Sequence, residues 1–168
     1  GTPVHPHPDT LRTIQDKLVQ KRRLREAGIP VPAFRAVDSA DELREALADL
    51  GYPAMLKARE GGYDGRGNVP VHDESDVEDA FEALDGPAMV EEFVDFEREL
   101  AVMGCRGVDE RDTFPVTETI HEAEILRETV SPARASEDRL AEARAVAGDA
   151  LDVLDGPGVF GIELFDTG

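Results

Sequence analysis

The sequence holds one cysteine, Cys105, no tryptophan, and only three lysines among its eighteen basic residues. A single cysteine excludes an intrachain disulfide and a cysteine-built metal cluster, and it suits a reducing cytosol. No run of about 18 apolar residues occurs, so no segment reads as a membrane-spanning helix. No basic-then-apolar leader opens the chain. Aromatic residues make up 5% of the sequence, so the core must be built from aliphatic side chains. Positive charge is scarce, with 18 Lys plus Arg against 37 Asp plus Glu and a formal charge of −19. Such a chain is not drawn to phosphate backbones or anionic lipid, which argues against nucleic acid and membrane surfaces as partners.

The acidic residues that are present are spread along the chain. The lysines are Lys17, Lys21 and Lys57, so fifteen of the eighteen basic residues are Arg. A dispersed acidic surface repels itself unless salt screens it. This balance implies a halophilic protein of a high-salt cytoplasm, against the plainer reading of an ordinary acidic enzyme. The 168 residues fit one domain or two small lobes. The opening Gly1-Thr2-Pro3-Val4-His5-Pro6 lacks a Met, and the last residues follow directly on a strand-like run. Both ends are expected to be cuts within a longer protein.

Apolar spacing predicts a helix over 9–27, with Leu11, Ile14, Leu18 and Leu24 on one side and Gly28 as its stop. A strand is expected at 34–37. Ser39 caps a helix over 40–50, with Glu42 completing a capping box. Strands follow at 53–58 and 69–71, on either side of a glycine loop. A helix opened by Ser75 covers 76–84, and a strand covers 88–93. Antiparallel strands are expected at 99–104, 114–121 and 124–130, with 107–110 as the first turn. Ser136 opens a helix to about 154, and a mostly buried strand closes the chain at 159–165. Strands and helices mix without strict alternation, which predicts an α+β fold.

Four glycines lie within the seven residues Gly61 to Gly67. Glycine lets a backbone turn its N–H groups toward one point, which suits a phosphate, and Arg66 at the loop tip adds a forked cation. The pattern is neither a dinucleotide fingerprint nor a Walker loop, and its plainer reading is a hairpin connection. Lys57 ends an apolar strand four residues before the loop. It is either a second phosphate cation or a solvated strand end. Glu91, Glu92, Phe93 and Val94 end a strand, with Glu99 nearby. Such a segment can offer backbone groups and apolar walls to a base and a carboxylate to a ribose, though in so acidic a chain each Glu also reads as surface. Glu163 interrupts an apolar strand, where a carboxylate is either solvated or a hard ligand for Mg²⁺. His121 ends a strand. No pattern supports acyl transfer through Ser-His-Asp or Cys-His.

These blocks occur together and in order. They are Gln15-Asp16-Lys17 with Lys21, Leu56-Lys57-Ala58-Arg59-Glu60-Gly61-Gly62-Tyr63-Asp64-Gly65-Arg66-Gly67-Asn68, Val90-Glu91-Glu92-Phe93-Val94 with Arg98-Glu99, Ile120-His121 with Ile125-Leu126-Arg127, and Gly158-Val159-Phe160-Gly161-Ile162-Glu163-Leu164-Phe165. Over nearly the whole chain they resemble the ATP-grasp region of the N5-carboxyaminoimidazole ribonucleotide synthetase family. The resemblance implies an ATP-grasp fold, two α+β lobes clasping a nucleotide. A lead-in helix would occupy 1–28, a small lobe 29–89 and an incomplete larger lobe 90–168. It implies ATP contacts from Lys17 and Lys57 and a closing loop of Gly62, Tyr63, Asp64, Gly65, Arg66, Gly67 and Asn68. It implies an adenine hinge at Glu91, Glu92, Phe93 and Val94, with Glu99 on the ribose. His121 and Arg66 would act at the reacting end, and Glu163 would be one of two magnesium carboxylates.

The implied reaction is that of a cytoplasmic ligase of purine synthesis. Bicarbonate is activated by ATP as carboxyphosphate, and the carboxyl group passes to 5-aminoimidazole ribonucleotide. The resemblance also implies a homodimer for the full-length protein and inactivity for this piece alone. Asn68 stands where Gln is usual in the family, and Thr119 where Asn is frequent. The alternatives are another ATP-grasp ligase, of the formate-dependent glycinamide ribonucleotide or biotin carboxylase type, and a non-catalytic acidic interaction domain.

Overall fold

The structure, a computed structural model, describes residues 2–61, 67–84, 86–122 and 125–168. In chain order its elements are α1 (Pro8–Gln15), α2 (Lys17–Glu26), β1 (Phe34–Val37), α3 (Ala40–Leu50), β2 (Ala54–Ala58), β3 (Asn68–Val71), α4 (Val77–Glu82), β4 (Ala88–Glu92), β5 (Arg98–Arg106), β6 (Arg111–Thr113), β7 (Thr117–Glu122), β8 (Ile125–Val130), α5 (Glu137–Asp152) and β9 (Gly158–Asp166). Among the described residues no helix is long and apolar enough to cross a membrane. The chain divides into two compact units. One comprises Gln15–Arg22 and Val31–Val94, and the other Gly1–Ile14, Arg23–Pro30 and Asp95–Gly168. The sheet boundary therefore falls after β4, whereas a limit at 89 would cut through that strand.

The smaller unit is an antiparallel sheet in the order β1-β4-β2-β3. Directly paired residues share a face of such a sheet. One face carries Val37, Leu56, Val71, Ala88 and Val90, which pack with Leu43 and Leu47 of α3 and Val77 and Ala80 of α4. Ser39 accepts from the Glu42 N–H, Glu42 Oε2 accepts from the Asp38 N–H at 2.8 Å, and Gly51 ends α3 at a φ of 83°. The opposite face carries Phe34 and Met89, which pack with Leu18 of α2.

The larger unit centres on β5. It pairs with β9 along its full length on one side, and with β7 and then β6 on the other. Leu100, Val102, Ile162 and Leu164 form the inner face against Leu140, Ala143 and Ala147 of α5. Gly104 permits close approach there, since a Cβ at that position would lie 2.6 Å from Leu151 Cδ1. The turn at 107–110 is closed by the Gly107 N–H donating to the Glu110 carbonyl at 2.7 Å.

The structure departs from the sequence reading at four elements. The helix expected over 9–27 is two helices, because the Asp16 carboxylate accepts from the Leu18 and Val19 N–H groups and starts α2 afresh. The strand expected over 114–121 begins only at Thr117. Pro115 has no N–H to give to a ladder, and the Val116 carbonyl accepts instead from Ala133 N–H at 2.8 Å. The helix expected over 76–84 is the shorter α4, preceded by a 3-10 turn whose cap is Asp73 rather than Ser75. The last strand is buried on one face only, with Val159, Gly161, Glu163 and Phe165 all exposed. Glu124, expected to open the strand of 124–130, lies outside the described residues, and β8 runs from Ile125.

Candidate functional site

In the smaller unit, strand register and one helical turn gather the three lysines. The pairs Met55↔Glu91 and Lys57↔Met89 put Lys57 and Glu91 on one face as diagonal neighbours, with Asn68 opposite Lys57. Leu18 docks α2 on that same face. Lys17 and Lys21, four residues apart, lie on one side of the helix. Lys57 Nζ forms an ion pair with Glu91 Oε1, and Lys21 Nζ lies 2.5 Å from Glu91 Oε2. Lys17 Nζ donates to the Gly61 carbonyl at 2.8 Å, at the entry of the glycine loop. A protein that otherwise uses Arg thus brings its three ammonium groups to one place.

The electrostatics follow from burial and charge count. The Glu91 side chain is 4% exposed. Burial pushes its carboxyl up, but the ammoniums of Lys57 and Lys21 more than offset this, and the group titrates below the usual Glu range. Burial, and then the charge of Lys57, hold the Lys17 ammonium below its ordinary value. Three ammoniums set against one carboxylate leave surplus positive charge, which is the condition for holding an anion.

A further ion pair anchors this cluster. Arg59 donates to both carboxylate oxygens of Asp16, Nε at 3.2 Å from Oδ1 and Nη2 on Oδ2. The guanidinium lowers the Asp16 pKa against the opposing effect of burial. The Lys17 N–H donates to the Arg59 carbonyl at 2.9 Å. The start of α2 is therefore tied to the strand end that leads into the loop. Gly61 and Gly67, at the described ends of that loop, have φ values of 71° and 99°, which favour glycine. Gly62, Tyr63, Asp64, Gly65 and Arg66 lie outside the described residues. The Gly67 carbonyl accepts from Ala58 N–H at 2.8 Å. At the end of β4, Glu92 Oε1 accepts from the Ala33 N–H at 2.9 Å, while Phe93 is exposed and Val94 half-buried in the irregular segment that follows.

In the larger unit the open face of the sheet collects the remaining candidates. The register aligns Glu99 with Phe165 and with Thr119, and Ala101 with Glu163. Glu99, His121 and Glu163 accordingly share that face. His121 Nδ1 lies 2.5 Å from Glu99 Oε2. Phe165 stacks on Phe96, ring centroids 4.7 Å apart. Phe165 and Met103 are both exposed, so the carboxylates lie beside uncovered apolar surface. Among the described residues no group of three or more His, Cys, Asp or Glu could hold a metal ion.

Sequence reasoning picked out Lys17 and Lys57 but gave Glu91 to a base-binding segment and left Lys21 and the Asp16–Arg59 pair without roles. The Glu91 side chain is committed to lysines. The available signal was the lysine scarcity itself, since all three lysines share one site.

Residues 22–168 match the family described as the ATP-grasp domain. The chain is 39% identical over 164 residues to the phosphoribosylaminoimidazole carboxylase of Schizosaccharomyces pombe, covering 96% of this chain and 30% of that protein. The carboxyaminoimidazole ribonucleotide synthase of Aspergillus clavatus, solved with ATP, superposes with a TM-score of 0.91 at 40% identity, over 95% of this chain and 43% of that one. The Aspergillus clavatus N5-carboxyaminoimidazole synthase, solved with ADP and 5-aminoimidazole ribonucleotide, gives a TM-score of 0.89 at 37% identity, over 95% and 42% of the two chains. The chain thus spans about a third of the curated relative and less than half of the two solved chains.

Proposed function

The chain belongs to the ATP-grasp family, and on that premise we propose that it is the nucleotide-binding part of a carbon–nitrogen ligase of purine synthesis. The observation that carries this reading is the convergence of Lys17, Lys21 and Lys57 beside the glycine loop. Phosphoryl transfer needs little covalent help from a protein and much charge stabilisation. Lys57 and Lys17 hold the ATP phosphates, and the loop with Arg66 excludes water while a reactive intermediate lives. Phe93 and Val94 take the base. On the open face of the larger unit, Glu99 accepts from ribose hydroxyls, with His121 fixing its orientation, and His121 acts at the carboxyphosphate end.

In the proposed reaction an oxygen of bicarbonate attacks the γ-phosphorus and ADP leaves. The amine of 5-aminoimidazole ribonucleotide then attacks the carboxyl carbon of carboxyphosphate. Phosphate departs, and the amine gives up a proton. The relative solved with ADP and that ribonucleotide supports this substrate. Glu163 is one carboxylate of a proposed magnesium site. With no group of three or more ligands among the described residues, the residues present do not make a complete site. The proposed setting is a high-salt cytoplasm, which the charge of −19 and the preference for Arg support. A homodimer of the full-length protein rests on the family resemblance alone.

The test is ADP release by the full-length protein in about 2 M KCl, where screening acts over a few Å. ATP, bicarbonate and magnesium are supplied with and without 5-aminoimidazole ribonucleotide. Release that depends on the ribonucleotide is expected. Release indifferent to it would move the protein to another ligase of the family.

A further inference from the structure

Lys21 is not needed to tie Lys57 to the sheet, because Lys57 already has Glu91 Oε1. It serves the other oxygen. Glu91 Oε2 is out of solvent and receives no directed hydrogen bond from any described residue, so its stabilisation comes from the Lys21 ammonium 2.5 Å away. One buried carboxylate facing one ammonium would form a neutral pair, whose attraction in a poorly hydrated place is strong. The Lys57 charge would then be spent on Glu91. Two ammoniums on the same carboxylate leave the triplet one positive charge, and the carboxylate no longer depends on Lys57 alone. The geometry supplies the second ammonium reliably, since Asp16 and Arg59 fix where α2 begins and Leu18 fixes its face.

We propose that Lys21 is a positioning residue for nucleotide binding, neutralising Glu91 so that the Lys57 ammonium is available to a phosphate. This rests on the nucleotide reading given above. Lys21 itself need not touch the ligand. Its effect is confined to the anionic part of the nucleotide, and it depends on Glu91 carrying a charge.

The experiment measures ATP and adenosine affinity of the full-length protein and three variants. Lys21→Met is expected to lose about tenfold or more in ATP affinity with adenosine affinity unchanged. Lys21→Arg, which keeps the charge, is expected to recover most of that loss. Lys21→Met combined with Glu91→Gln removes both charges, and ATP affinity is expected to return to within about threefold of the parent. Equal loss of ATP and adenosine affinity in Lys21→Met, or no recovery in the double variant, would overturn the proposal and reduce Lys21 to a packing role. A parent protein that binds no ATP would overturn the nucleotide reading and this inference together.

Discussion

Lys57 stands at the end of β2 with its ammonium on Glu91, within the same cluster as two further lysines. On the proposed reading Lys57→Ala removes a charge-assisted contact to phosphate, and it is expected to cost about 1.5–3 kcal/mol of ATP binding. Unchanged affinity in a direct binding titration would remove it from the phosphate site. Glu91 makes a further prediction, in acid. Its carboxyl titrates below the usual value near 4.5, so below that value the unfolded chain binds more protons at this position than the folded one. The stability it contributes is complete above its unfolded pKa and lost as pH falls through the lowered folded one. Thermal melts from pH 6 downward should therefore show a steeper loss for the parent protein than for Glu91→Gln. Parallel curves would mean that the two lysines do not hold this carboxylate charged. None of this was legible from residue types alone. A Glu at the end of an apolar strand looks the same whether it faces solvent, a base or two ammoniums, and only the register of β2 against β4 decides among them.

Elements were legible where one local rule governed them. The Ser39 cap with Glu42 and the Gly51 stop bound α3 as the sequence reading expected. Where a side chain competed with periodicity, the reading failed. The apolar spacing of Leu11, Ile14, Leu18 and Leu24 runs across Asp16, yet the Asp16 carboxylate captures the N–H groups of Leu18 and Val19 and ends one helix to begin another. Pro115 cuts short the start of the strand expected over 114–121, and its missing N–H was a signal available in the sequence. The inner face of β5 depends on a missing side chain as well. Gly104→Ala would place a methyl group against Leu151, itself fully buried, and is expected to destabilise the protein by about 1–3 kcal/mol. A melting temperature equal to the parent's would show that α5 can draw back from the sheet at no cost.

For the molecule as a whole, charge sets the prediction. A net charge of −19 over 168 residues makes self-repulsion a destabilising contribution that salt relieves. The melting temperature is expected to rise with KCl up to about 1 M, where the screening length is near 3 Å. A fall would contradict the proposed saline setting. The family blocks were legible across the chain because each needs particular residue types in sequence. The lysine cluster was legible only in part, because Lys21 and Glu91 acquire their relation through a helix docked on a sheet. The uneven use of the two basic residues has a practical corollary. Within this chain Lys17, Lys21 and Lys57 are the only side-chain amines, and they share one cluster. A reagent that acylates amines and spares guanidinium groups would therefore mark side chains of that cluster alone, and shielding of the mark by a ligand would report its occupancy without any engineered label.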